Sequence, residues 1–296
     1  MLKSLAIVGA GRVGRALGKR LREQGWRIGA VVTRSQGSAR NAVRFIGAGQ
    51  ACVGISGRAL HARVILLATP DDVLSLAVAQ ILQALPGMLD DSASFATVLQ
   101  GKVFLHTSGA WDASVLKLLQ QRGASVGSMH PLQTFSGVGV PPLEGKYFAI
   151  EGDPLAVRAA RSMVRALGGK PVFLGAGQKC LYHAAAALAA GHVLAVEEAA
   201  ARMLMTAGMS RRQAIGALLG LSRQVLENFQ RLGARAAWTG PLARGDYRVI
   251  AAHEHALAAL PAEYLRAYEA LNRLAARVLA GNAKSALARL HNLPGV

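Results

Sequence analysis

Ser4-Leu5-Ala6-Ile7-Val8-Gly9-Ala10-Gly11-Arg12-Val13-Gly14 opens the chain and decides how the rest is read. The apolar run from Ser4 reads as a short strand. Arg15-Ala16-Leu17-Gly18-Lys19-Arg20-Leu21 is compatible with a helix. A strand that closes in G-x-G-x-x-G and opens a helix is a dinucleotide-binding turn. The first glycine permits the tight turn, and the second lets backbone N–H groups approach a pyrophosphate. The third lets the helix pack against the strand, its positive N-terminal end aimed at the phosphates. Gly9, Ala10, Gly11, Arg12, Val13 and Gly14 are the expected cofactor contacts.

The second strand, Arg27-Ile28-Gly29-Ala30-Val31-Val32, ends at Thr33-Arg34-Ser35. An NAD site usually carries an acid here, accepting a hydrogen bond from the ribose 2′-hydroxyl. No Asp or Glu occurs between Gln24 and Pro70, whereas Arg27, Arg34, Arg40, Arg44, Arg58 and Arg63 do. A guanidinium fork matches phosphate geometry. Thr33, Arg34 and Ser35 are therefore expected around a 2′-phosphate, and NADP(H) is expected over NAD(H).

At 296 residues the chain can build two cores. Its 52% hydrophobic content and 33 glycines suit a packed α/β protein. The most apolar helical run, Ala184 to Met205, is interrupted by His192, Glu197, Glu198 and Arg202. It is not read as a membrane span. The N-terminal run is read as a strand and not as a signal peptide. Cys52 and Cys180 have no metal-ligand spacing and suit a reducing compartment, so a cytoplasmic protein with no metal is expected. The formal charge is +18, but each half of the chain nets +9, with no basic block and no interleaved aromatics. That spread argues against nucleic acid as a partner. A diffuse positive field would still attract a phosphorylated cofactor or a carboxylate substrate.

Further strands are expected at Arg63–Thr69, Lys102–His106, Ala124–Met129, Lys146–Glu151 and Lys170–Leu174. Ala68, Thr69 and Pro70 are expected as further cofactor contacts, Asp71 or Asp72 is expected to start the helix after them, and another helix should run from about Pro154 to Leu167. In doubly wound sheets ligands sit outside the carboxyl ends of the strands. His106 and His130 both fall at such ends, and His106 can equally be read as anchoring its loop. Helical, alanine-rich sequence takes over after Gly175, with Ser210 and Gln213 spaced as a capping box. The expected architecture is α/β: a doubly wound parallel sheet over residues 1–174, followed by an all-α domain over 175–296.

Four passages carry a resemblance: His106-Thr107-Ser108-Gly109-Ala110, His130-Pro131-Leu132-Gln133-Thr134-Phe135, Tyr182-His183-Ala184-Ala185-Ala186 and Thr239-Gly240-Pro241-Leu242-Ala243-Arg244-Gly245-Asp246. Together with Glu151-Gly152-Asp153 and Gly175-Ala176-Gly177-Gln178-Lys179, they resemble the 6-phosphogluconate dehydrogenase-like superfamily. Within it they are most similar to a branch of predicted oxidoreductases that pairs a Rossmann-like domain with a helical domain of formerly unknown function. Related groups are the ketopantoate, pyrroline-carboxylate and β-hydroxyacid reductases and dehydrogenases. The resemblance implies NADP(H)-dependent hydride transfer to or from a small carbonyl or hydroxy acid, ketopantoate being one specific guess. A pyrroline-carboxylate-like imine acid is the alternative within the enzyme class. A non-catalytic NADP(H)-binding redox sensor is the alternative outside it.

In related dehydrogenases a Lys-x-x-x-Asn pair on the first helix of the second domain meets the substrate. The matching positions are Lys179 and His183, so histidine replaces asparagine. The asparagine that the closer branch usually carries around Gly191 is missing, and His192 lies half a turn away from His183. The resemblance implies that Lys179 polarises the reacting oxygen, His183 donates a proton or orients, and His130 closes the nicotinamide side. Arg244 would bind a substrate carboxylate, or else pair with Asp246. Ser108, Asn228 and His253 complete the expected substrate contacts, while His255 is expected to face elsewhere. Apolar helices in excess of one small domain's needs imply a homodimer.

Overall fold

The structure is a computed structural model describing residues 3–85, 99–175 and 177–293, so Ala176 lies outside the described residues. The opening run forms β1 (Ser4–Val8), followed by α1 (Arg12–Glu23), β2 (Arg27–Thr33), α2 (Gln36–Ile46), β3 (Gln50–Val53) and β4 (Val64–Leu67). Next come α3 (Leu74–Gln83), β5 (Val103–His106), α4 (Lys117–Gln120), β6 (Ser125–Pro131), β7 (Tyr147–Gly152), α5 (Pro154–Ala166) and β8 (Lys170–Phe173). The strands make one sheet in the order β3-β2-β1-β4-β5-β6-β7-β8.

Strand periodicity explains where the core lies. Leu5 and Ile7 point into one apolar layer with Leu17, Leu21 and Ile46, while Ala6 and Val8 point into the other with Ile65, Leu74 and Val78. Both faces are thus covered, as a parallel sheet requires. Each fully buried Leu or Ile contributes about 1.5–3 kcal/mol through the apolar surface it removes from water.

The sheet is mostly parallel, as expected: β1 to β6 are parallel, β7 runs antiparallel to β6, and β8 is parallel to β7. Parallel neighbours need a crossover, usually a helix. The link between Pro131 and Tyr147 carries no helix, so the chain turns back. α5 then supplies the crossover between β7 and β8. Asp71 and Asp72 do sit at a helix start, in a 3₁₀ turn before α3, but neither side chain makes a capping bond.

Beyond β8 come α6 (Lys179–Ala187), a π-helical turn at Leu188–His192 and α7 (Val193–Thr206). The chain divides into two compact units, Met1–Ala190 and Gly191–Val296. This division falls later than the sequence break near Gly175, because the first residue of α6, Lys179, is bonded to the sheet's loops. The second unit continues with α8 (Arg211–Leu232), α9 (Ala234–Ala237), α10 (Pro241–Arg244), α11 (Tyr247–Leu257), α12 (Ala262–Leu279) and α13 (Ala283–His291). The Ser210/Gln213 capping box is present at the start of α8, with the Ser210 hydroxyl accepting from the Gln213 N–H.

Among the described residues, one helix, Lys179–Thr206, is long and apolar enough by length and composition to cross a membrane. The interrupting residues are in use, however. Glu198 accepts from Arg202 and Arg211, each at 2.9 Å, and Glu197 accepts from the Ser222 hydroxyl.

Candidate active site

The glycine turn closes the carboxyl end of β1. Gly9 has φ +87°, and a Cβ there would lie 2.7 Å from the Ala68 backbone, so the turn and the neighbouring strand end admit only glycine. A Cβ on Gly14 would run into the Gly9 carbonyl, which fixes how closely α1 approaches the turn. Gly11, by contrast, faces open space, with nothing within 4 Å of where its Cβ would be. It caps α1 without any side-chain bond, and the first turn carries no acid. The N–H groups of that turn therefore remain available to an anion.

Beside this cradle, the Thr33 hydroxyl donates to the Ser35 carbonyl at 2.9 Å, and the Ser35 hydroxyl caps α2 through the Ser38 N–H. Arg34 is exposed between them. On the next strand end the Thr69 hydroxyl is buried without a hydrogen-bond partner. The open glycine, the uncapped helix start, a free guanidinium and an unpaired hydroxyl fit a phosphorylated dinucleotide.

A second group of residues gathers at the carboxyl ends of β5 and β6 and on the first turns of α6. Lys179 is 1% exposed. Its ammonium donates to the Ser108 carbonyl at 2.5 Å and to Ser128 Oγ at 2.9 Å, and the Ser128 hydroxyl donates to Glu151 at 2.5 Å. Burial pulls the Lys179 pKa down to about 8, with Glu151, Asp71 and Asp112 acting in the opposite direction. The ammonium thus faces the sheet's loops and not open space. A substrate oxygen could reach it only by displacing those bonds.

His106 is the loop anchor. Its Nδ1 accepts from the Ser108 N–H at 3.2 Å, which leaves the Nε2 proton to be donated to the Asp112 carbonyl at 3.1 Å. Burial, then the Lys179 charge, lower its pKa to about 3, so the ring is neutral. Ser108 Oγ accepts from the N–H groups of Ala110 and Trp111. This serine therefore shapes the turn that presents Gly109.

His130 is partly open. Its Nδ1 lies 2.9 Å from the Tyr182 hydroxyl, and its ring stands edge-on to both Tyr182 and His183, with centroids 5.5 and 5.6 Å away. Burial lowers its pKa to about 4, helped by the Lys179 and His183 charges. Gly109 is the floor of this group. A Cβ on it would overlap His183 Nδ1 and stand 2.9 Å from His130 Nε2. His183 Nδ1 is buried and has no hydrogen-bond partner.

Lys179, Ser108, His130 and His183 are thus brought together in the first unit. Tyr182 and Gly109 join them without having been assigned a role from sequence. The signal for Tyr182 was its i+3 position from Lys179, which places it on much the same helical face. Arg244, Asn228 and His253 lie in the second unit. Arg244 pairs with Asp246 at 2.9 Å on an exposed turn, Asn228 accepts from Gln224, and His253 Nδ1 is 2.8 Å from the Tyr268 hydroxyl.

Residues 2–131 match the model of a Rossmann-like domain, and residues 146–275 match the domain of unknown function DUF2520. No curated protein matches the chain. Among solved structures, a candidate NADP oxidoreductase from Bacteroides fragilis is 21% identical, covering 91% of this chain and 96% of that one, with a TM-score of 0.70. A reductive aminase from Aspergillus terreus, in complex with NADPH and ethyl-5-oxohexanoate, is 19% identical over 97% and 99%, with a TM-score of 0.63. A pyrroline carboxylate reductase from Plasmodium falciparum with NADP bound is 12% identical over 90% and 95%, with a TM-score of 0.57. The mixed sheet and glycine turn agree with the Rossmann-like match, and the helical second unit agrees with the DUF2520 match.

Proposed function

We propose that the protein is an NADP(H)-dependent oxidoreductase acting on a small carbonyl, hydroxy or imine compound that carries a carboxylate. The observation that carries this reading is the acid-free end of β2, where Arg34 stands exposed beside the open glycine cradle. A 2′-phosphate placed there gains a guanidinium and meets no carboxylate. Similar structures hold NADPH or NADP, which supports the same cofactor. When bound, the reduced nicotinamide supplies the hydride.

The residues that hold and orient the substrate are His130 and His183 above Gly109. Lys179 acts through them: burial, helped by its charge, keeps His130 and His106 neutral, and its bond to the Ser108 carbonyl fixes the Ser108–Gly109 turn. Arg244, Asn228 and His253 are proposed as substrate contacts, Arg244 for the carboxylate. The likeness to a reductive aminase and to pyrroline carboxylate reductases favours an imine as the second substrate reading, beside ketopantoate or another 2-oxo acid. The test is NADPH oxidation followed by absorbance across 2-oxo acids, cyclic imino acids and ketone–amine mixtures, with calorimetry of NADPH and NADH. Turnover of one class assigns the substrate. NADPH binding with no turnover anywhere leaves the sensor reading, and no NADPH binding removes the proposal.

A homodimer in the cytoplasm is part of the same reading. Of the 22 residues of α8 only Ala214 is buried, while Leu221, Leu226 and Phe229 are each more than half exposed. A groove of about 600 Å³ lined by Val196, Met203, Leu257, Tyr264, Tyr268 and Leu271 lies in the same unit. Soluble chains rarely leave apolar faces of this extent uncovered, and a second copy offers a matching one. Light scattering that gives a monomer at micromolar concentration contradicts the dimer.

A further inference from the structure

We propose that the Tyr182 hydroxyl is the proton donor of the reaction, held by His130; this rests on the oxidoreductase reading above. Several other polar groups of the cluster are already engaged. The Lys179 ammonium is buried and bonded to Ser108 and Ser128. The Ser128 hydroxyl is committed to Glu151, and His106 is held at both ring nitrogens. Ser108 Oγ is engaged by two backbone N–H groups. Tyr182 is partly open, and the contact recorded for its hydroxyl is a side-chain nitrogen that can itself donate.

A Cβ on Gly109 would stand 2.9 Å from His130 Nε2, and no hydrogen bond to that nitrogen is seen among the described residues. The ring proton is assigned to Nδ1, from which the Tyr182 oxygen accepts at 2.9 Å. The phenolic hydrogen is then free to point at a substrate. The perpendicular stacking of His130 between Tyr182 and His183 holds the ring in this orientation. Lys179 and Tyr182 are three residues apart on α6, so the buried ammonium and the open hydroxyl occupy neighbouring positions on one face.

In the reducing direction, a bound reduced nicotinamide would supply the hydride for the new C–H bond and the electron pair for the reduction. The carbonyl π pair moves to oxygen, and the Tyr182 O–H bond breaks as the substrate O–H bond forms. For an imine the proton goes to nitrogen. The phenolate left behind accepts the His130 Nδ1–H bond and regains a proton from water. Burial raises the Tyr182 pKa to about 12. The hydroxyl therefore stays protonated through the neutral range and remains acidic enough to quench an alkoxide.

The test compares the full-length wild type with Tyr182→Phe and His130→Gln, using three readouts: calorimetry with NADPH, turnover of the panel compound, and ¹⁵N NMR of the histidine rings. Tyr182→Phe is expected to keep its NADPH affinity and to lose about 10²–10⁴-fold in turnover, the range for removing a general acid. The His130 ring is expected as the Nδ1–H tautomer in wild type, with its resonance displaced in Tyr182→Phe. Turnover of Tyr182→Phe close to wild type, or a His130 ring protonated on Nε2, overturns the proton-donor assignment and leaves the oxidoreductase reading standing. A wild type that binds no NADPH removes both. The NADPH titration of each variant also serves as its folding control.

Discussion

The Lys179 ammonium lies 2.5 Å from the Ser108 carbonyl oxygen, across 71 residues of chain, and this bond ties the start of α6 to the loop after β5. It places a positive charge beneath the histidine cluster without exposing it. The residue that family resemblance offers as the group touching substrate is thus built into the wall behind the site.

Replacing Lys179 should therefore act on stability and on its neighbours' protonation together. Lys179→Met leaves the Ser108 carbonyl and the Ser128–Glu151 pair without their donor. Each buried unsatisfied group costs about 1–3 kcal/mol. The urea midpoint should fall, and the His130 pKa should rise from its value of about 4 as the repelling charge disappears. An unchanged His130 titration by NMR would show that the ammonium does not act on that ring.

Gly109→Ala tests whether the two histidines converge as described. The added methyl overlaps His183 Nδ1 and crowds His130 Nε2, and both rings must shift. Overpacking of this kind costs roughly 1–3 kcal/mol. Turnover should fall while NADPH affinity at the glycine turn holds, as calorimetry and steady-state kinetics can separate. An alanine variant with native ring resonances and native turnover would contradict the packing.

Acid should destabilise the protein before its carboxylates titrate. An unfolded chain protonates each histidine near pH 6.5. In the folded protein, uptake waits until about 4 for His130 and about 3 for His106, chiefly because the rings are buried. Between these values the unfolded state binds more protons, so stability falls as pH drops through the window and returns as pH rises. The cost is on the order of 3 kcal/mol for His130 alone. Denaturation midpoints measured from pH 7 down to 4 should decline, and His106→Asn should flatten the decline; a flat wild-type profile excludes the buried neutral pair.

Arg34→Ala should weaken NADPH binding and leave NADH binding where it was. A charge-assisted bond to phosphate contributes about 1.5–3 kcal/mol, or roughly 10- to 150-fold in affinity. Equal losses for the two cofactors in calorimetry would place the 2′-phosphate elsewhere.

Much of the fold was legible in the sequence because its signals are local. Alternating apolar residues, strand-ending glycines and a capping pair at Ser210 and Gln213 each act within a few residues. β1, β2, β4, β5 and β6 accordingly appear close to where they are expected. The missing acid after Val32 is equally local, as is the exposed Arg34 that follows from it. The direction of β7 was not legible, since strand orientation depends on what the preceding link can span and not on the strand's own residues.

The chemistry divides in the same way. Sequence alone determined the glycine turn after β1, the exposed arginine after β2 and the presence of Lys179 and His183 one helical turn apart. Only the tertiary structure decided that Lys179 is buried against Ser108 and Ser128, that His106 anchors a loop, and that Tyr182 faces His130 over Gly109. The reason is physical. A side chain's charge state and reach are set by burial and by acceptors from distant segments, and those meet only once the sheet has brought the ends of β5 and β6 beside the first turn of α6.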